Sequence, residues 1–194
     1  MAIPKLLFAT NNQHKIEEIQ FATGDKIKVI GLKDAGISID IPEPHDTLEK
    51  NASEKSSTIF ALTGISCFGE DTGLEVEALN GDPGVKSARY AGTGFSEDNI
   101  NKLLHQLEHQ TKRNARFRTV ISLIWNGSEH LFSGICEGVI INERKGIGGF
   151  GYDPVFMPSG SNRTFGEMEP EEKNRFSHRK KAADQLVLFL QQHG

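Results

Sequence analysis

Asn126-Gly127 separates two long β-rich runs, residues 117–125 and 129–141, and no other feature restricts the fold so sharply. Both residues tolerate the positive φ that the central positions of a type I′ turn demand, so the dipeptide predicts a two-residue hairpin. A connection that short forces antiparallel pairing. The N-terminal region reads differently. Residues 6–9 form a short apolar run, best accommodated as a buried strand, and residues 27–30 and 37–41 read as two more. Ile16, Ile19 and Phe21 mark a helix after the first of these, and such alternation favours parallel pairing. A mixed, twisted α/β sheet with helices packed on it reconciles the two halves.

Other elements follow from local signals. Pro42-Glu43-Pro44-His45-Asp46 is a turn, followed by a helix over 47–62 that Gly64 ends. Residues 65–68 read as an apolar strand entering a Thr72-Gly73 turn, after which Leu74-Glu75-Val76-Glu77 alternates. Asn80-Gly81-Asp82-Pro83-Gly84 is a loop. Ser96 opens a helix whose apolar face is Ile100, Leu103, Leu104 and Leu107. Residues 146–151 form a glycine-rich loop, and a last helix over 177–191 turns Ala182, Leu186, Val187 and Leu190 inward. With no internal repeat or linker, a single domain over 1–194 is expected.

Composition narrows the function classes. With 22 basic against 26 acidic residues and a net charge of −4, the chain is a poor general binder of nucleic acid. No apolar run approaches the roughly 20 residues that span a bilayer, so no membrane partner is expected. Residues 1–6 lack the pattern of a signal peptide. Cys67 and Cys136, each inside an apolar run, read as buried free thiols. A cytoplasmic location is the corresponding expectation.

Five segments carry chemistry. Glu70-Asp71 places two carboxylates side by side, which repel unless a cation lies between them, and Mg²⁺ with phosphates is the usual solution. A solvated acidic turn would also contain such a pair. The strand–turn–helix at 6–21 offers a helix N-terminus, with Thr10, Asn11 and Asn12 in the turn and Lys15 in the first helical turn. Unpaired N–H groups and a lysine there suit an anion, although an ordinary N-cap with a surface lysine has the same sequence. Asn51 and Lys55 share a helix face. Gly149-Phe150-Gly151-Tyr152-Asp153 combines aromatics that can stack on a flat ring with an acid that can accept from a ring N–H. Finally, His178 and Arg179 put donors at a helix start, where positive charge is unfavourable without a nearby acceptor.

Taken in order, these segments resemble the inosine triphosphate pyrophosphatases, the Ham1/RdgB-type purine nucleotide pyrophosphatases. The resemblance runs through Ala9-Thr10-Asn11-Asn12 with Lys15, Asn51-Ala52 with Lys55, and Glu70-Asp71-Thr72-Gly73-Leu74. It continues through Gly81-Asp82-Pro83-Gly84-Val85, Ser87-Ala88-Arg89-Tyr90, Gly149-Phe150-Gly151-Tyr152-Asp153-Pro154 and Ser177-His178-Arg179. His14 stands where the family usually has glycine, Lys50 where it tends to have an acid, and Glu70 where aspartate is frequent.

The resemblance implies an elongated, two-lobed α/β fold with a long, twisted mixed sheet, a homodimer, and a substrate held between the lobes. It implies Mg²⁺-dependent hydrolysis of ITP, dITP and XTP to the monophosphate and pyrophosphate. By the same resemblance, Thr10, Asn11, Asn12, Gln13, His14 and Lys15 would hold phosphates together with Lys55. Glu43, Glu70 and Asp71 would bind the metal, and Asp71 would be the general base. Thr72 would touch the substrate, Phe150, Gly151, Tyr152 and Asp153 would cradle base and sugar, and Lys173, His178 and Arg179 would complete base recognition. Two alternatives remain at this stage: a Maf-type nucleotide pyrophosphatase, and a sensor that binds a triphosphate without cleaving it.

Overall fold

The computed structural model describes residues 3–193; Met1, Ala2 and Gly194, which bound the expected 1–194 domain, lie outside the described residues. Among the described residues the strands are β1 (Lys5–Phe8), β2 (Lys28–Gly31), β3 (Cys67–Val76), β4 (Pro83–Gly84), β5 (Asn114–Trp125), β6 (Ser128–Ile140) and β7 (Phe156–Pro158). The α-helices are α1 (Gln13–Thr23), α2 (Leu48–Thr63), α3 (Ser96–Gln106), α4 (Pro170–Phe176) and α5 (His178–His193). The strands form a mixed sheet in the order β2-β1-β3-β5-β6-β7, with β4 paired to β3. Pairing is parallel for β1 with β2 and β3, and antiparallel for β3 with β4 and for β6 with β7. The hairpin between β5 and β6 turns at Asn126 (φ 49°) and Gly127 (φ 81°), the left-handed pair the sequence predicts.

The chain divides into two compact units. The first takes Met1–Asp71, Thr119–Gly134 and His178–Gly194; the second takes Thr72–Arg118 and Ile135–Ser177. In the first, Leu6, Phe8, Ile19, Phe68, Ile121 and Leu123 pack with Ala182, Leu186 and Leu190 of α5. A smaller cluster gathers Leu7, Leu32, Ile59 and Cys67. The core of the second unit is built from Leu74, Val76, Leu103, Phe117, Tyr152, Phe156 and Phe165.

Three expectations need correction. The Thr72-Gly73 turn does not exist: β3 continues unbroken from Cys67 to Val76. Its glycines serve close approach instead. A Cβ on Gly73 would stand 2.7 Å from the carbonyl oxygen of Gly84 in the paired β4, and a Cβ on Gly69 would strike the Ala52 carbonyl of α2. The residues over 37–41 do not form a strand, although Ile37, Ile39 and Ile41 still pack, partly buried, against the Leu7–Ile59 cluster. Phe21 is 46% exposed and does not share the buried face of α1. The helix α4, with Pro170 in its first turn, carries Lys173 and is not evident in the Glu171-Glu172-Lys173 segment.

Candidate active site

The strand β3 supplies the two acids of the first unit, and it does so from mid-strand. Glu70 and Asp71 are 1% and 4% exposed, which rules out a solvated acidic turn. Two buried carboxylates next to each other demand compensation. It arrives from three elements.

The helix α1 brings the first cation. Asn12 caps it, its Oδ1 accepting from the Lys15 backbone N–H at 3.2 Å, while the Asn12 N–H donates to Thr10 Oγ1 at 3.1 Å. Asn11 Nδ2 donates to the Ile39 carbonyl at 3.3 Å and ties the turn to the segment beyond β2. Gln13 Nε2 donates to Glu17 along the same helix. So braced, Lys15 places Nζ 2.7 Å from Glu70 Oε2. His14 is exposed on the first helical turn.

The helix α2 brings the second. Thr47 caps it and Gly64 (φ 67°) ends it. Lys55 Nζ donates to the Glu70 carbonyl at 3.0 Å and to Asp71 Oδ1 at 3.3 Å, and it forms an ion pair with Glu43. Burial opposes the Lys55 ammonium, but Asp71, Glu43 and Glu70 outweigh it and hold its pKa above the ordinary lysine value. Burial also dominates at Asp71 and raises its pKa; Lys55 and Lys15 pull the other way, and Glu43 and Glu70 add to the rise.

The helix α5 brings the third. Arg179 is 2% exposed, yet its Nε and Nη2 donate to Glu70 Oε1 at 3.2 and 3.0 Å, and Nη1 bonds Glu18. The acceptors that a cation at a helix start needs are thus two carboxylates of the same unit. With both partners close, its guanidinium pKa lies above the ordinary arginine value despite burial. His178, the first residue of α5, is buried, and its carbonyl oxygen lies where a Cβ on Gly134 would have to be.

The second unit holds the remaining residues. Thr72 is its first residue, next to Asp71 in β3. Gly149 (φ 72°) turns the loop so that the Asp153 carboxylate occupies the space of the absent Cβ. Asp153 Oδ2 accepts from the Phe150 N–H at 2.8 Å and from Lys173 Nζ at 2.6 Å. The same ammonium lies 5.5 Å from the Phe150 ring centroid and 5.3 Å from that of Phe165. Gly151 (φ 61°) lets the chain reverse, and Tyr152 turns into the core, donating to the Ser87 carbonyl at 2.9 Å. Burial lifts the Tyr152 phenol well above its ordinary pKa.

The profile of the Ham1 family matches residues 6–189. The chain belongs to the Ham1 family. The dITP/XTP pyrophosphatase of Porphyromonas gingivalis is 50% identical to this Ham1-family chain over 188 residues, covering 96% of this chain and 97% of that protein. The protein of the same name from Flavobacterium psychrophilum is 49% identical over 187 residues, covering 96% and 98%. Among solved structures, the Staphylococcus aureus Ham1 protein aligns with a TM-score of 0.88 at 37% identity, covering 98% of this chain and 100% of that one. The mixed α/β fold is therefore the Ham1 fold.

For two contributors to the candidate site the sequence does not show the partner. Nothing in Glu17-Glu18 says which of the two reaches Arg179, because the answer depends on how α1 packs beside α5. Asn51 stands out in the sequence as a helix-face partner of Lys55 and in the Asn51-Ala52 motif, but its bond to Asp71 appears only in the structure.

Proposed function

We propose that this protein hydrolyses non-standard purine nucleoside triphosphates, ITP, dITP and XTP, to the monophosphate and pyrophosphate with Mg²⁺, and so removes them from the nucleotide pool. Two relatives about half identical to it over nearly their whole length carry the name dITP/XTP pyrophosphatase. The observation that carries the reading is the pairing of the buried Glu70-Asp71 step with two lysine ammoniums, Lys15 and Lys55. A fold needs no such arrangement for stability, since breaking a buried charge cluster is costly and forming one gains little. Phosphoryl chemistry does need it.

In this reading Thr10, Asn11, Asn12, Gln13 and His14 bind phosphate oxygens at the N-terminus of α1, where N–H groups and the helix dipole favour an anion. Lys15 and Lys55 neutralise charge that develops on the transferring phosphoryl group. Asp71 takes the proton of the attacking water. Free aspartate is a weak base at neutral pH, and burial raising this carboxyl's proton affinity moves it toward that role. Among the described residues, no three His, Cys, Asp or Glu side chains gather closely enough to hold a metal ion as they stand. The chemistry of the donors fits Mg²⁺ all the same: Glu43, Glu70 and Asp71 offer hard carboxylate oxygens around ammoniums that a divalent cation can replace. When bound, the ion would supply Lewis-acid stabilisation and a more acidic water.

At the base, Phe150 supplies a stacking surface, with Gly151, Tyr152 and Asp153 shaping the loop and Thr72 touching the substrate. Lys173 and His178 complete recognition of the 6-carbonyl that hypoxanthine and xanthine share; Arg179, expected from the sequence to join them, instead spends its donors on Glu70 and Glu18 and steadies the metal-binding carboxylate. Adenine carries an amino group there, and a site of donors is left unpaired against it. The protein works as a cytoplasmic homodimer of a two-lobed domain in the same reading, with neither nucleic acid nor membrane as partner.

A pyrophosphate-release assay tests the reading, comparing ITP, XTP, ATP and GTP with Mg²⁺ and with chelator. Metal-dependent pyrophosphate from ITP and XTP, with little from ATP or GTP, is the expected outcome. Orthophosphate as product means that a different bond is cut. Tight ITP binding with no product turns the reading into that of a sensor.

A further inference from the structure

Asn51 is fully buried in the first turn and a half of α2, and its side chain makes three hydrogen bonds. Its Oδ1 accepts from the His45 backbone N–H at 3.0 Å. Its Nδ2 donates to the His45 carbonyl at 3.1 Å and to Asp71 Oδ2 at 3.2 Å. This set fixes which way the amide points, because the opposite orientation would bring its oxygen against a carbonyl and a carboxylate. The other Asp71 oxygen, Oδ1, accepts from Lys55 Nζ, one helical turn further along α2. Both oxygens of Asp71 are therefore addressed by a single helix, through side chains at i and i+4 on one face.

The same amide does a second job. By closing a two-bond ring with the His45 backbone, it pins the turn Pro42-Glu43-Pro44-His45 to α2. Glu43 lies on that segment and pairs with Lys55. A residue whose three bonds join a carboxylate on β3, a loop backbone and its own helix is unsuited to binding substrate. It is well suited to holding others in place.

We propose that Asn51 is a positioning residue: its amide orients the Asp71 carboxylate and locks the Glu43-bearing loop in register with it. This rests on the pyrophosphatase reading, in which Asp71 is the base. Positioning of a base matters because a small misplacement of the reacting groups costs far more than the bond that prevents it. Asn51→Asp is the sharpest substitution. It keeps the shape and the acceptor toward the His45 N–H, removes both donors, and sets a carboxylate against Asp71. Asn51→Ala removes all three bonds.

The test combines steady-state kinetics on ITP with thermal melting and the side-chain amide resonances of Asn51. In folded Asn51→Ala, kcat should fall by about tenfold or more while KM stays within about threefold, since the phosphate-binding turn is untouched. Asn51→Asp should be at least as slow. The Asn51 NH₂ protons of the wild type should exchange slowly with solvent and shift on Asp71→Ala. A folded Asn51 variant whose kcat stays within about twofold of wild type overturns the inference. So does a loss divided equally between kcat and KM. Should neither variant fold, the resonances decide: signals indifferent to Asp71→Ala overturn the proposed bond. The double variant Asn51→Asp with Asp71→Asn exchanges donor and acceptor, and it should regain melting temperature over Asn51→Asp without regaining turnover. Wild-type protein that releases no pyrophosphate from ITP or XTP defeats the pyrophosphatase reading instead, while the resonances still report whether Asn51 holds Asp71.

Discussion

Lys15 Nζ and Glu70 Oε2 meet at 2.7 Å although one belongs to the first turn of α1 and the other to the middle of β3. On the other oxygen of the same carboxylate, Arg179 makes two bonds. Glu70 is thus held by one exchangeable cation and one embedded cation. Lys15 retains partial contact with solvent, and Arg179 has almost none.

That asymmetry separates two substitutions. Arg179→Ala leaves the buried Glu70 carboxylate without its embedded cation and should cost about 3–5 kcal/mol, a fall in melting temperature of roughly 6–20 °C. Lys15→Ala should cost much less stability and instead raise KM for the triphosphate. Calorimetry and ITP kinetics on both variants check the pair; equal melting temperatures would contradict it.

Asp71→Asn should nearly abolish turnover, by about 10²–10⁴-fold, with nucleotide binding retained. Single-turnover pyrophosphate release and ITP titration calorimetry provide the two readouts. A variant that keeps most of its rate removes Asp71 from the role of base.

Gly69→Ala tests how the lysine is delivered. A Cβ there would lie 2.8 Å from Lys55 Cβ and 2.8 Å from the Ser56 backbone nitrogen, with the Ala52 carbonyl closer still. The backbone of α2 must retreat, so about 1–3 kcal/mol of stability should go. Turnover should fall with it as Lys55 withdraws from Asp71. Denaturant melts alongside ITP kinetics read both effects.

Cys67 yields a prediction in pH. Burial raises its thiol from an ordinary 9.0 to about 11, and the thiol donates to the Ser56 carbonyl at 3.3 Å. The folded state therefore holds this proton more tightly than the unfolded chain does. Its contribution is fully present below pH 9.0 and is lost as pH rises through about 11. Stability should fall across that window less steeply in Cys67→Ala than in wild type. Native Cys67 should also react slowly with alkylating reagents at neutral pH, because so little thiolate is present.

What could be read from the sequence was local or periodic. Asn126-Gly127 announces its turn because the backbone angles there admit few residues. Thr47 and Gly64 bracket α2 because caps are chosen by geometry at single positions. The error at Thr72-Gly73 has the same origin. Glycine after threonine looks like a turn, and only the partner strand shows that Gly73 is small to let Gly84 approach. Glu70 and Asp71 were recognisable as chemistry, but not their burial, which depends on α2 covering them. The partners of Asn51 and Glu18 were out of reach for a plainer reason. Each meets its partner across a separation in sequence, 20 residues for Asn51 with Asp71 and 161 for Glu18 with Arg179. No local pattern encodes such a meeting.

The first unit draws on three separated segments, Met1–Asp71, Thr119–Gly134 and His178–Gly194. A ribosome makes β3 more than a hundred residues before α5. Until α5 is made, then, the Glu70 carboxylate exists without the guanidinium that will enclose it. The second unit, whose residues all precede His178, can close before the first is complete. The nascent chain therefore finishes its acidic centre only when α5 has emerged, and a message truncated before α5 should yield a polypeptide for degradation rather than a half-active enzyme.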